Sequence, residues 1–366
     1  MSETRTFRAP GRVNLIGEHT DYNLGFVLPI ALDLSTYIET TPADDGQLHV
    51  FSEERHEERA WPVAEIAAAK PGKHWSDYTL GVARELAMRG VEIPALRLRI
   101  RSDVPNGSGL SSSAALEVSS ALAILQGRDF NKLEIAKLCQ RAEIDFVGVP
   151  CGIMDQYVSV FGVAHAALCL DCRSLEHRTV RIPDGVEIVA VNSMVKHQLG
   201  SSAYRTRVEE CAIAVEAIAR KYPQVKSLRD AEPAYLDTVS MPRLVMRRAR
   251  HVISENKRVQ LFVGAAERSD AERMGELFVE SHRSMQHDYE ISCDEIDFLV
   301  DTAVGIPGCH GARMTGGGFG GCTVNLLEPS SVSRFQDEMT KRYHERFGIT
   351  PAIFRCIPGP GAEEIR

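Results

Sequence analysis

The stretch from Leu96 to Gln126 constrains the fold most. Leu96, Leu98 and Ile100 alternate with Arg97, Arg99 and Arg101, the period of a strand with one buried face. The segment Val104-Pro105-Asn106-Gly107-Ser108-Gly109-Leu110-Ser111-Ser112-Ser113-Ala114-Ala115 follows, and an apolar helix then reaches about Gln126. A strand, a glycine/serine loop and a helix in this order gather free backbone N–H groups at the positive end of a helix, where an anion is stabilised. The three serines add donors to phosphate oxygens and a ligand to magnesium. No Lys follows, so this is not the G-x-x-x-x-G-K-[ST] loop, and it does not match the protein-kinase loop. A well-capped helix after a flexible turn accounts for the same residues equally well.

Two further segments carry unusual composition. Gly311-Ala312-Arg313-Met314-Thr315-Gly316-Gly317-Gly318-Phe319-Gly320-Gly321 holds six glycines in eleven positions before a strand-like Cys322 to Leu326. Each glycine costs about 0.5–1 kcal/mol against Ala in regular structure, so a backbone passing close to a ligand or to another loop is expected there. Arg12-Val13-Asn14-Leu15-Ile16-Gly17-Glu18-His19-Thr20-Asp21-Tyr22-Asn23 packs strongly hydrogen-bonding side chains between apolar residues, which suits a neutral ligand with many hydroxyls. A solvated loop is the alternative for any one of these residues. Glu143 shares a helical column with Cys139 and Val147, a mostly apolar stripe on which a carboxylate needs a cation or several donors; an ion pair to Arg is the plainer reading. Asp155, in the largely apolar Cys151 to Val160, serves as a general base beside an Arg, caps a helix or pairs structurally.

The remaining pattern mixes strand and helix throughout, an α+β arrangement. Ser35 to Thr41 and Gln47 to Phe51 flank Asp45-Gly46, a hairpin signal. Trp75, Tyr78, Val82 and Leu86 mark a helix ended by Gly90, and Asn131 with Glu134 starts another running to Val147. The second half opens on a strand at Val186 to Val191 and is helix-rich, with one helix through Val208 and Val215, one capped by Ser269 and Glu272, and one through Ile296 and Ala303. Two domains are expected, 1–180 and 181–366. The net charge of -8 argues against wrapping nucleic acid or lying on an anionic membrane. No signal peptide and no spanning segment is read from the sequence, and nine scattered cysteines fit a reducing, cytoplasmic compartment. Cys169 and Cys172 read as buried or strand-face thiols, since a metal site needs about four ligands.

Taken together, the segments resemble the GHMP small-molecule kinases, and the galactokinases among them. GRVNLIGEHTDYN looks like the galactokinase signature, VPNGSGLSSSAALEV the family's phosphate loop, and GARMTGGGFGGCTVNL its third motif. CGIMDQY, VKHQLGSSAYRTR and RRARHVISE also resemble galactokinase segments, in order over nearly the whole chain. The resemblance implies the two-domain GHMP kinase fold, with ATP and sugar in the cleft between domains. It implies Asp155 as the general base for the anomeric hydroxyl, with Arg12 beside it, and Glu18, His19, Thr20, Asp21 and Tyr204 as holders of the sugar. Gly107, Ser108, Gly109, Leu110, Ser111, Ser112 and Ser113 would cradle the triphosphate, Ser113 and Glu143 would hold Mg2+, with Ser112 competing for the serine role, and Ser52 and Trp75 would approach the nucleotide. The implied reaction is ATP-dependent phosphorylation of galactose.

Small departures, Ser108 in the loop, Met194 before Val195-Lys196-His197 and Ala203 before Tyr204, remove no functional group. A kinase for N-acetylgalactosamine and a non-catalytic sensor of galactose and ATP stand as alternatives; mevalonate and homoserine kinases are disfavoured by GEHTDYN. No residue pattern indicates an oligomeric state, and the chain is compatible with a monomer.

Overall fold

The computed structural model describes residues 4–105, 109–196 and 200–365, with only the backbone of Lys196, Gly200, Ser201 and Ser202. The chain opens with β1 (Arg5–Asn14), β2 (Phe26–Val27), β3 (Pro29–Pro42), β4 (Gln47–Ser52) and β5 (Glu57–Pro62), then α1 (Asp77–Met88) and β6 (Leu96–Ser102). Helices α2 (Ser112–Leu125), α3 (Lys132–Arg141) and α4 (Met154–Phe161) precede β7 (Ala166–Asp171) and β8 (Glu176–Arg181). Strand β9 (Glu187–Lys196) leads to α5 (Gly200–Ala219), α6 (Pro233–Leu236), α7 (Arg243–Glu267), α8 (Ala271–Ser284) and α9 (Asp294–Val304). The chain closes with β10 (Cys309–Thr315), β11 (Gly320–Leu327), α10 (Val332–Phe347), β12 (Ala352–Arg355) and β13 (Glu363–Glu364).

Three sheets result: six strands in the order β13-β1-β3-β6-β4-β5, four in the order β10-β11-β9-β12, and three in the order β2-β7-β8. Strand β6 alternates buried and exposed residues as its sequence predicts, with Leu96, Leu98 and Ile100 inward. Its place is not the expected one. The turn at Asp45-Gly46 predicts that β3 and β4 pair, yet β6 lies between them, antiparallel to β3 and parallel to β4. The link from Pro42 to Gln47 is long enough to span the roughly 10 Å of two strand spacings. The hairpin is therefore opened to admit a third strand whose apolar side chains complete the same buried face, and β4 pairs instead with β5.

Helices α1, α2, α3 and α4 cover this sheet, and Val118, Ala121, Ile124 and Leu138 join Phe7, Ile38 and Leu98 in one core. A second core lies among β9, β10 and helices α5, α7, α9 and α10, and a third joins β1 and β3 residues to α7, α8 and β11. The anticipated single helix from Lys132 to Val147 is α-helical to Arg141 and then turns as a π-helix through Ala142–Val147. Asn131 caps its start by accepting from the Leu133 and Glu134 N–H groups. Helix α8 is capped by Asp270 rather than Ser269: the Asp270 carboxylate accepts from the Arg273 N–H, while Ser269 takes a left-handed φ of 56°. Cys169 and Cys172 are buried. No helix among the described residues is long and apolar enough to cross a membrane.

Candidate active site

The site forms where β1, the loop before α2, and the start of α4 meet. The register of β1 against β3 shifts between Pro10 and Arg12, a bulge that re-aims the Arg12 side chain. At Gly11 a Cβ would lie 2.6 Å from the Leu110 carbonyl oxygen, so only glycine lets β1 run under the loop. The Arg12 N–H donates to that carbonyl at 2.9 Å. The Arg12 guanidinium, 7% exposed, grips Asp155 through Nε at 2.8 Å and Nη2 at 2.6 Å, and donates a third bond to the Gly109 carbonyl. Two parallel N–H···O bonds fix the plane of the carboxylate as well as its position. Ser111, at the left-handed position before α2, donates to Asp155 Oδ2 at 2.5 Å.

Beside Asp155 stands a group of acids. Asp21 packs so closely on Gly152 that a Cβ there would sit 1.7 Å from its Oδ2. Burial, and then the charges of Asp155 and Glu18, push the Asp21 carboxyl up to about 7 against the hydrogen bond from the Tyr22 backbone. Glu143 sits on the π-helical turn, whose wide register turns it inward to 6% exposure. Burial first and Asp155 second raise its carboxyl to about 7, while hydrogen bonds from Cys151, Ser113 and Gln156 oppose the rise. Ser113, the first of the two competing serines to be named, is thus the one bonded to Glu143. The Gln156 amide donates to Glu143 at 2.7 Å and to Glu117 at 3.0 Å. Burial and then Glu143 push Glu117 well above the usual carboxylate range.

Beyond burial, the charge of Asp155 raises the carboxyls of Asp21, Glu143 and Glu117, and the oxygens of Glu143 and Ser113 suit a hard cation. Among the described residues, no group of three or more His, Cys, Asp and Glu side chains is gathered to ligate a metal ion.

The polar signature is held from behind. Glu18 Oε1 accepts from the Thr315 hydroxyl and the Gly316 N–H, each at 3.1 Å, and faces Arg313 Nη2 at 3.3 Å. The Thr20 hydroxyl lies 2.8 Å from the Gly17 carbonyl and 2.6 Å from that of Phe26, so it is engaged inside its own loop. Glu255 on α7 accepts from the Gly17 N–H at 3.0 Å and from the Ser281 hydroxyl at 2.7 Å, and pairs with Arg258 at 2.6 Å. Burial opposes its charge, but Arg258, His251 and Arg313 hold its carboxyl down at about 2. His19 is buried among Tyr22, Tyr204 and Tyr289, with ring centroids 5.7, 5.3 and 4.9 Å away. Burial and then His251 lower it to about 3, so its imidazole is neutral.

The two glycine-rich runs meet at this point. A Cβ on Gly316 would lie 3.7 Å from the Gly109 carbonyl oxygen, and one on Gly318 only 2.7 Å from that of Ile291. Gly318 thus requires glycine for close backbone approach, whereas Gly316 requires it for its φ of 90°. Ser52 ends β4 opposite Glu57, whose carboxylate accepts from the Trp75 indole at 2.9 Å, so these two residues share one corner. Three residues on, Tyr78 faces Glu143, Glu117 and Cys151; burial, then those groups, raise its phenol to about 12. Gly107 and Ser108 lie outside the described residues. Sequence reasoning gave no role to Glu117, Gln156, Glu255 and Tyr289. Glu117 alone carried a signal, a lone carboxylate inside an apolar helix.

Comparison with known proteins agrees with this geometry. Family models match in three stretches: the galactokinase galactose-binding signature at residues 2–42, the GHMP kinases N terminal domain at 77–163 and the GHMP kinases C terminal domain at 262–345. The chain is 43% identical over 362 residues to a galactokinase of Roseiflexus sp. strain RS-1, covering 98% of this chain and 92% of the relative. It is 44% identical over 362 residues to the galactokinase of Chloroflexus aggregans, covering 98% and 93%. The crystal structure of Lactococcus lactis galactokinase complexed with galactose superposes with a TM-score of 0.93 at 33% identity, covering 99% of this chain and 95% of that one. Methanococcus jannaschii mevalonate kinase shares the fold, with a TM-score of 0.73 at 18% identity over 98% and 99% of the two chains. A bidentate Arg–Asp pair under a glycine/serine loop, joined to the GEHTDYN signature and matched over nearly its whole length by these relatives, places the chain in the galactokinase family of the GHMP kinases.

Proposed function

We infer that the protein transfers the γ-phosphoryl group of ATP to the anomeric hydroxyl of galactose, giving galactose 1-phosphate and ADP. The observation that carries this reading is the Arg12–Asp155 pair, set beside the loop before α2, with Asp21 and Tyr204 within its electrostatic reach and His19 packed on Tyr204. In this reading the Asp155 carboxylate accepts the proton of the anomeric hydroxyl as its oxygen attacks the γ-phosphorus and the bond to ADP breaks. Arg12 fixes the orientation of Asp155 and stabilises charge spread over the transferring group. Asp21, His19 and Tyr204 hold the sugar, with Glu18 and Thr20 shaping the loop that presents them. The N–H groups and hydroxyls from Gly107 to Ser113 receive the triphosphate, and Ser52 and Trp75 flank the nucleotide. Ser113 and Glu143 hold magnesium, which neutralises phosphate charge when bound.

The division into 1–180 and 181–366 belongs to the same reading. One core lies in each part, while a third core and the pairing of β13 with β1 join the two. A cytoplasmic location fits nine cysteines of which none is in a disulfide. The test is ADP release with ATP and magnesium against galactose, glucose, N-acetylgalactosamine, mevalonate and homoserine. Turnover with galactose above all others is expected; turnover with another acceptor alone sinks the sugar assignment, and binding without turnover sinks the enzyme.

A further inference from the structure

We propose that Tyr289 is a positioning residue that sets the proton on His19 through the chain Cys211–Tyr289–Tyr22–His19, so that His19 Nε2 meets the sugar as a hydrogen-bond donor. The proposal rests on the galactose reading for the identity of the ligand. Tyr289 closes the π-helical turn after α8, far in sequence from the signature it serves. Its hydroxyl lies 2.7 Å from that of Tyr22, which in turn lies 2.8 Å from His19 Nδ1. Cys211 Sγ on α5 is 3.1 Å from the Tyr289 hydroxyl. Cys211, Tyr289 and His19 are buried and Tyr22 is half-buried, and the Tyr289 ring packs on both His19 and His251, at 4.9 and 4.4 Å between centroids. At the far end of the chain, His19 Nε2 is buried and makes no hydrogen bond of ordinary geometry.

A buried chain of hydroxyls has two directions, and the surroundings choose one. Sulfur is a poor acceptor and the imidazole Nδ1 a good one, so the hydroxyl protons point toward His19 and the Cys211 S–H is left for the Tyr289 oxygen. Tyr289 then donates to Tyr22, and Tyr22 donates to His19 Nδ1, the strongest acceptor in the chain. The reverse direction would place a phenol O–H, a strong donor, on sulfur. With Nδ1 accepting, the one proton of the neutral imidazole resides on Nε2. A sugar hydroxyl at that position receives a donor whose direction is fixed before binding, at no reordering cost.

The experiment has a spectroscopic arm and a kinetic arm. In the intact protein labelled with 15N-histidine, with the His19 signals identified by their loss in His19→Asn, the wild type should show a protonated Nε2 and an unprotonated Nδ1. Tyr289→Phe should show a mixture of tautomers. A wild-type His19 protonated on Nδ1 overturns the proposal, and this arm needs no variant of Tyr289 to fold. In the kinetic arm, Tyr289→Phe and Tyr22→Phe should raise the galactose KM roughly ten-fold, the scale of one neutral hydrogen bond, with the ATP KM within about two-fold of wild type. The penalty for one monodeoxygalactose relative to galactose should shrink in both variants, as a double-mutant cycle requires of coupled groups. Unchanged penalties for every deoxy sugar overturn the proposal. If galactose is not phosphorylated by the wild type, the functional reading fails while the tautomer measurement still decides the relay.

Discussion

Replacing Asp155 by Asn tests the centre of the mechanism because two separate losses can be worked from the structure. The Asn side chain keeps the shape and one acceptor, but its amide nitrogen then faces Arg12 Nη2 or the Ser111 hydroxyl, donors that stand 2.6 and 2.5 Å from Oδ2. Breaking a buried ion pair by removing one partner costs about 3–5 kcal/mol. Asp155 is 23% exposed on its side chain and Asn retains one bond to Arg12, so a loss of roughly 1–2 kcal/mol is the fitting fraction. For a chain of this size that lowers the melting temperature by only a few degrees. The chemical loss is larger: without a proton acceptor the turnover number should fall by at least about 10²-fold. ADP release at saturating Mg-ATP and galactose measures the second effect, thermal unfolding the first, and galactose binding by calorimetry shows that the pocket persists. A folded, sugar-binding Asp155→Asn protein with kcat close to that of the wild type would refute the assignment of the base.

Four further outcomes are expected. Glu143→Ala should move the midpoint of a magnesium titration of activity upward by roughly ten-fold or more, the scale of losing one charge-assisted ligand bond; an unmoved midpoint leaves Glu143 as a structural partner of Gln156. Gly152→Ala places a Cβ 1.7 Å from Asp21 Oδ2, so the galactose KM should rise while the ATP KM holds. Gly275→Ala places a Cβ 1.9 Å from the His310 carbonyl oxygen, so α8 must lift from β10. Overpacking of this kind costs about 1–3 kcal/mol, to be read in urea unfolding, with turnover per folded molecule unchanged. The last concerns pH in the ligand-free protein. Asp21 titrates at about 7 folded against 3.8 unfolded, so from the lower value to the upper the folded state holds a proton that the unfolded state has released. Its contribution to stability is therefore whole below the unfolded value and declines as pH rises to about 7, and Asp21→Asn should gain stability over wild type at pH 8 relative to pH 5 in paired thermal melts.

Local features of this chain were readable because their causes are local. The alternation in β6 specifies a strand with one buried face, and the glycine/serine run before α2 specifies its own turn. Arg12, Asp155, Glu143 and the signature acids stood out as hydrogen-bonding groups among apolar neighbours, and the structure gathers them in one place. What could not be read depends on partners distant in sequence. The insertion of β6 between β3 and β4 is decided by which apolar face completes the sheet, not by the turn at Asp45-Gly46. The π-helical turn that aims Glu143 has no propensity signal, since one extra residue in a turn leaves the apolar stripe nearly unchanged. Glu255 is an ordinary helical glutamate in sequence, and only its 238-residue reach to the Gly17 N–H gives it meaning.

That reach bears on how the site is kept in register. The signature loop must leave its strand at Gly17, where φ is 102°, a conformation that side chains rarely adopt. Glu255 holds the loop from one side through the Gly17 N–H. From the other, Glu18 is held by Thr315, Gly316 and Arg313, and Arg313 itself donates to the Leu15 carbonyl at 2.6 Å. Gly316 is also the residue that abuts Gly109, whose carbonyl accepts from Arg12. The signature loop and the loop before α2 are thereby fixed to the same two-residue stretch of the second glycine run. Because these contacts are made by backbone atoms and fully buried side chains, a shift of Thr315-Gly316 would displace the Asp155 partner and the signature acids together. Phosphoryl transfer depends on the alignment of acceptor and donor more than on any covalent step, so in the proposed reaction the third motif would govern that alignment through Glu18 and Gly109.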